Sequence, residues 1–255
     1  MKINKIDKPS FLNLVYEHKD LFMSKINNSE IFVVKNFFDK EFCLQLREET
    51  FNWGLLEDTS WHPFKDGCPD YHRLHDNYPN AYVKQKFHGF YRHNYINKNN
   101  RIFNVFSEIF KLKNFLAGFG DYEFMNNIPS DGILPRFNVH HYPKGGGYQA
   151  EHIDPNGPFA QIQTLIIASQ YGDDYQRGGV YARKSIENQE KFYLDSYTEI
   201  GDLLVLSPAI PHGVEEIDPE IEYSPNTNNG RWVFLPLFLF SDYPNELNVK
   251  PKEIN

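Results

Sequence analysis

His152-Ile153-Asp154 sets an imidazole and a carboxylate two residues apart, just after the run Gly145-Gly146-Gly147. On an extended strand, residues i and i+2 share a face, so both side chains can enter one cavity while Ile153 packs on the other side. One nitrogen and one oxygen then occupy adjacent positions around a metal ion. The pair alone carries little weight, because 10 histidines and 34 acidic residues among 255 produce about one such spacing by composition. A second instance, His18-Lys19-Asp20, lies in a charged N-terminal stretch with no strand pattern and reads as solvated. His152-Ile153-Asp154 therefore needs a third partner, and His212 supplies it, where the apolar run Leu203–Leu206 ends in a proline-bounded turn and a new strand opens. By itself His212 is more simply a hydrogen-bonded structural residue. Beside the pair it completes two histidines and one carboxylate, which leave three octahedral positions open, an arrangement suited to non-haem Fe(II) binding an oxidant and a co-substrate together.

These side chains need a β-rich frame. After residue 130 the chain reads as short strands broken by Gly, Pro, Asn and Asp: Arg136–Tyr142, Ala160–Gln170, Gly179–Lys184, Leu203–Leu206, Gly213–Ile217 and Arg231–Phe240. Such spacing predicts a sandwich or barrel, and Pro236 inside the last run predicts an edge or a bulge there. Before residue 130, Ile31–Phe37 reads as a strand and Asp39 caps a helix running to Arg47, with Phe42, Cys43 and Leu46 on one face. A second helix is expected over Arg101–Leu116. Between the helices, 58–97 is dense in aromatic residues and histidine without a stable period, and reads as a lid or substrate wall.

Composition narrows the classes of function. The 40% hydrophobic and 16% aromatic content suffices for a packed interior. One domain over 1–255 is expected, with 1–130 as a helical flank carrying the lid segment 58–97, and 131–245 as the β core. A net charge of −8 and the absence of a Lys/Arg run argue against nucleic acid as partner. No apolar run is long enough to span a bilayer, so no membrane partner is expected, and the N-terminus lacks a secretory pattern. Cys43 and Cys68, the two cysteines, form no Cys-x-x-Cys pair, which suits a reducing, cytoplasmic setting.

In its order of motifs the sequence resembles the Fe(II)/2-oxoglutarate-dependent oxygenases, especially their prolyl-hydroxylase-like and small-molecule hydroxylase branch. The likeness spans roughly 31–240. It rests on Ile31–Leu44, on Arg136–Tyr142 leading through the glycines and Tyr148 to His152 and Asp154, on Thr164–Gln170 followed by Gly178-Gly179, and on Gly201–Pro208 before His212-Gly213-Val214. The resemblance implies a mostly β fold, a double-stranded β-helix (jelly roll) core with flanking N-terminal α-helices. It implies Fe(II), 2-oxoglutarate and O2 as cofactors, with His152, Asp154 and His212 as metal ligands and catalytic centre. It also implies that Arg231 binds the distal carboxylate of 2-oxoglutarate, helped by Tyr142, Gln170 and Tyr148. Arg231 lies farther past His212 than the pattern has it, so 218–229 reads as an inserted loop.

The expected activity is hydroxylation of an unactivated C–H bond of a small molecule, a free amino acid or an amino-acid-like metabolite. Related halogenases lack the carboxylate present here as Asp154. Arg136, His140, His75 and Arg73 are the candidate substrate contacts. Neighbours on a strand face opposite ways, so only one of His140 and His141 can reach the cavity. Two alternatives stand beside this reading: a cupin-type metalloenzyme that does not use 2-oxoglutarate, and a non-catalytic β-sandwich binding module. Desaturation or cyclisation in place of hydroxylation, and a homodimer in place of a monomer, are left open by the sequence.

Overall fold

A computed structural model describes residues 1–56, 61–76, 81–155, 157–224 and 226–243. In chain order its elements are β1 (Lys2–Asp7), α1 (Lys8–Glu17), α2 (Lys19–Asn27), β2 (Glu30–Lys35), α3 (Lys40–Leu56), β3 (Tyr71–Asp76) and β4 (Gln85–His93). Then come α4 (Asn100–Val105), α5 (Ser107–Ala117), β5 (Ile133–Pro143), β6 (Gly147–His152), β7 (Gln163–Ile167) and β8 (Gly179–Ala182). The chain closes with β9 (Phe192–Tyr193), β10 (Leu203–Leu206), β11 (His212–Ile217) and β12 (Gly230–Phe240).

The strands join in the order β1-β2-β10-β7-β12-β5-β4-β6-β11-β8-β9, with β3 on the free side of β4. β4 makes the corner: residues 88–93 pair with β5, while Gln85 and Lys86 pair with Gln149 and Tyr148 of β6. The sheet thus folds over on itself into the expected jelly roll, and alternation along each strand sorts side chains into two cores. Ile31 and Val33, Leu165 and Ile167, and Val233 and Leu235 point between the two faces. Their neighbours Phe32 and Val34, Ile166 and Ala168, and Trp232 and Phe234 point outward under the helices. The helices of the first half close that outer core: Phe11, Phe22, Cys43, Leu46, Phe106 and Phe110 are all buried in it.

Local chemistry accounts for most element ends. Asp7 caps α1 by accepting the Ser10 amide at 2.9 Å, and Asp39 caps α3 by accepting the Phe42 amide at 2.7 Å. Gly118, with φ of 83°, terminates α5. The single helix expected over 101–116 is two, because the chain breaks at Phe106, whose buried ring stacks on Phe137 at 4.7 Å. Pro236 sits where the β7 ladder on β12 has already ended at Val233 and Phe234, so the predicted edge is found there.

The aromatic segment 58–97 differs most from expectation. Its middle is a β-hairpin, Tyr71 opposite Tyr91 through Asp76 opposite Lys86, built into the sheet on β5. Both faces of β4 are buried, so polarity does not alternate along it and no period shows in the sequence. Positions 58–60 and 77–80 of the segment lie outside the described residues, as does 244–245 at the end of the expected core. Among the described residues, the first 130 positions therefore carry four strands besides their helices.

Candidate active site

The metal-site candidates converge through strand pairing. β11 lies antiparallel to β6 with His212 directly opposite His152, and their ring centroids stand 4.4 Å apart. Gly213 permits this approach, since a Cβ there would sit 2.9 Å from the Gln149 carbonyl oxygen. Gly145 and Gly146, with φ of 85° and 92°, make the tight return from β5 into β6. Asp154 lies past the end of β6. Its place comes from its amide bonding the Pro208 carbonyl at 3.1 Å, not from continued strand geometry.

Asp154 Oδ1 stands 3.5 Å from His152 Nε2, and Oδ2 stands 3.6 Å from His212 Nε2. One ligand atom from each residue falls within 4.8 Å of the others. Each histidine donates Nδ1–H to the carbonyl two residues earlier, Ala150 and Ile210, both at 2.9 Å. That bond fixes the tautomer and leaves each Nε2 lone pair facing the centre. Gln163 Nε2 donates to Asp154 Oδ2 at 2.9 Å. Burial opposes ionisation of Asp154, but its contacts with His152 and His212 prevail and hold its carboxyl below the usual range. Burial pushes His212 down, which keeps it neutral and able to bind a metal.

The three residues open into a cavity of about 460 Å³ inside the jelly roll. Arg231 projects into the same interior from β12, opposite Tyr142 of β5. Asp195 grips its Nε and Nη2 at 2.8 and 3.1 Å, and Nη1 is buried without a partner among the described residues. Burial works against the charge of Arg231, and the Asp195 carboxylate outweighs it, so the guanidinium is held above its ordinary range. Tyr142 donates its hydroxyl to Gln149 Oε1 at 2.9 Å, and Gln149 Nε2 donates to the Tyr82 hydroxyl at 3.0 Å. The Tyr82 ring meets His152 edge-on at 5.3 Å.

Of the other sequence candidates, Arg73, His75, Arg136 and His140 all line the cavity. His140 is the inward member of its pair; His141 points out, stacked on Trp232 at 4.1 Å and donating to the Asn229 carbonyl at 3.0 Å. Tyr148 and Gln170 are not brought to the cavity: Gln170 bonds the Thr198 and Tyr171 carbonyls near Lys40 and Asp174, and Tyr148 lies beside Lys86. Gln149 stands where Tyr148 was expected. The reason is a bulge, with His212 opposite His152 but Val214 opposite Gln149, so β6 has one extra residue and its parity flips. Gln149, Gln163 and Tyr82 were missed by sequence reasoning. Gln163 alone left a trace, as the polar residue opening the apolar strand Gln163–Ile167.

Solved structures share this architecture. A full-length Neurospora crassa protein, in complex with alpha-KG and 5-formyluracil, superposes with a TM-score of 0.54 at 13% identity, over 94% of this chain and 84% of that one. A putative 2OG-Fe(II) oxygenase family protein from Caulobacter crescentus gives 0.52 at 9% identity, over 98% and 92%. A Pseudomonas putida prolyl-4-hydroxylase gives 0.51 at 10%, over 86% and 96%. No protein-family model matches the chain, and neither does any curated protein sequence. The chain has the jelly-roll fold of the 2OG-Fe(II) oxygenases, prolyl hydroxylases among them.

Proposed function

We propose that the protein is an Fe(II)- and 2-oxoglutarate-dependent dioxygenase that hydroxylates an unactivated C–H bond of a small molecule. The observation that carries this reading is the convergence of His152, Asp154 and His212 within 4.8 Å of one another at the mouth of an internal cavity. Two imidazoles and one carboxylate suit Fe(II) and leave part of its sphere free. The buried, unpartnered Nη1 of Arg231 suits the far carboxylate of a keto acid, and favours this reading over a cupin-type enzyme that uses none. The crystallisation of the Neurospora protein with alpha-KG and 5-formyluracil supports a small-molecule substrate in such a cavity.

Bound together, Fe(II) and 2-oxoglutarate supply an oxidant by coupling decarboxylation of the keto acid to succinate with reduction of O2. The chain's own residues do the placing. Ala150 and Ile210 hold the two imidazoles in one tautomer, Gln163 orients Asp154, and Asp195 locks Arg231 through Nε and Nη2, leaving Nη1 for the keto acid. The relay from Tyr142 through Gln149 to Tyr82 fixes the wall beside His152. Apolar Leu165, Val214 and Val233 keep water from the same space. The aromatic segment 58–97 acts as a substrate wall in this reading.

Anaerobic titration should find one Fe(II) per chain, and aerobic assays with 2-oxoglutarate should release succinate. Asp154→Ala and His212→Ala should each lower both by more than tenfold, in keeping with loss of a ligand. A wild-type chain that binds no Fe(II) would instead place the protein among non-catalytic β-sandwich modules.

A further inference from the structure

Two arginines, Arg231 and Arg136, leave the same β5–β12 ladder, and Arg136 lines the cavity. Arg231 lies opposite Tyr142 and Leu237 lies opposite Arg136, so the two arginines leave the ladder six positions apart, about 20 Å along the strands. Arg231 already holds a carboxylate, Asp195. Arg136 forms no ion pair among the described residues. Its guanidinium lies 4.5 Å from the ring centroids of both Phe64 and Tyr91, it reaches the Tyr71 hydroxyl at 3.4 Å, and its Nε is buried without a partner. Ring faces and one hydroxyl orient a guanidinium but leave its charge uncompensated, which is the condition for capturing an anion. Arg73 adds a second cation on the same wall, bonded through Nε to His75.

What the lining lacks is equally informative. Among the described residues around the cavity the sole carboxylate is Asp154, already committed to the metal centre. His75 and His140, pushed down to about 2 and about 3 by burial and then by neighbouring arginines, stay neutral and contribute no charge of either sign. An ammonium group entering this space finds nothing to neutralise it, whereas a carboxylate finds Arg136. Val233 and Leu235 between the two arginine positions, with Leu237 and Leu239 at and past Arg136, offer an apolar floor.

Resting on the oxygenase reading, we propose that the substrate is an apolar carboxylic acid without a free α-amino group, its carboxylate held by Arg136 beside Arg73 and its carbon skeleton packed on Leu235, Leu237 and Leu239. This turns the substrate away from the free amino acids that the sequence suggested. Two acids then occupy one cavity without confusion, the keto acid on Arg231 and the substrate on Arg136.

The test is calorimetric titration of the protein loaded with Mn(II) and 2-oxoglutarate, which requires no turnover. The probes are octanoate and 3-phenylpropanoate, each against its amide and its α-amino acid, 2-aminooctanoate and phenylalanine. Each acid should bind at least tenfold more tightly than its two counterparts. Arg136→Gln should weaken acid binding at least tenfold while leaving the amides and 2-oxoglutarate unchanged, and Arg136→Lys should recover part of the loss. Equal affinities within the sets, preference for the amino acids, no binding of either acid by the wild-type protein, or an unaltered Arg136→Gln would each overturn the proposal. The wild-type ranking decides the matter even if the variants fail to fold. Titrating 2-oxoglutarate into the Mn(II)-loaded protein beforehand tests the oxygenase reading separately, and absence of binding there would sink it.

Discussion

Arg231 shows how much one side chain does here. A buried carboxylate holds two of its nitrogens and the third is buried without a partner among the described residues, so in the proposed reading it serves structure and binding together. Substitution should separate the roles. Arg231→Met strands Asp195 in the interior and should destabilise the fold by about 3–5 kcal/mol, the usual result of breaking a buried pair. Arg231→Lys keeps a charge near Asp195 but loses the planar fork, and should raise the KM for 2-oxoglutarate about tenfold or more with a much smaller change in melting temperature. Equal KM values in Arg231→Lys and wild type would show that the keto acid binds elsewhere. Gln163 gives a sharper test of metal placement. Gln163→Leu fills the same volume without the amide that bonds Asp154, and Fe(II) affinity should fall about 10- to 100-fold. Unchanged affinity on direct titration would leave the Gln163 amide with no part in holding the metal. The convergence of His152, Asp154 and His212 was legible from residue types and spacing because metal-binding chemistry would dictate both. Gln149 was not, because the bulge that turns it inward involves no unusual residue, and the family resemblance pointed to Tyr148.

At the scale of elements, the β3–β4 hairpin carries a row of histidines on its outer face. His72 and His88 share a hydrogen bond at 2.9 Å, His72 stacks on Phe90 with centroids 4.4 Å apart, and both rings are buried. Burial, aided for His72 by the charge of His88, pushes each to about 4. Their folded-state values lie below the unfolded one near 6.5, so the unfolded chain takes up protons first as pH falls. Stability is then full above pH 6.5, declines between 6.5 and about 4, and levels off below. Each unit of depression corresponds to about 1.4 kcal/mol, so urea unfolding at pH 5 should show a markedly lower midpoint than at pH 7.5. The double variant His72→Phe/His88→Leu should reduce that dependence to the part left by other depressed histidines such as His75 and His140. A slope identical to wild type would assign it to other groups. These histidines read in the sequence as part of an aromatic lid. The strands that hold them escaped notice because burial on both faces erases alternation, whereas the strands after residue 130 stood out as aliphatic runs between turn residues.

Over the whole molecule, the helices cover one face of the sheet and leave the other to enclose the site, so the fold's order was readable from where helical and strand patterns occur. The parallel strand β1 was not, because Lys2–Asp7 is half charged and gains its place only by pairing with β2. The candidate metal site lies within this architecture where β6 and β11 pair. A bound ion would therefore tie together strands from residues 147–152 and 212–217 with the loop at Asp154, and unfolding would have to release it. Binding to the folded chain alone adds RT ln(1 + [L]/Kd), about 2.7 kcal/mol at a hundredfold excess over Kd. For a chain of this length that corresponds to roughly 5 °C in melting temperature. Adding Mn(II) anaerobically should raise Tm by that order in wild type, 2-oxoglutarate should raise it further only when metal is present, and His212→Ala should abolish both increments. A rise with 2-oxoglutarate alone, or a metal-induced rise that survives in His212→Ala, would mean that the ion binds outside the triad and that the convergence of its three side chains has another cause.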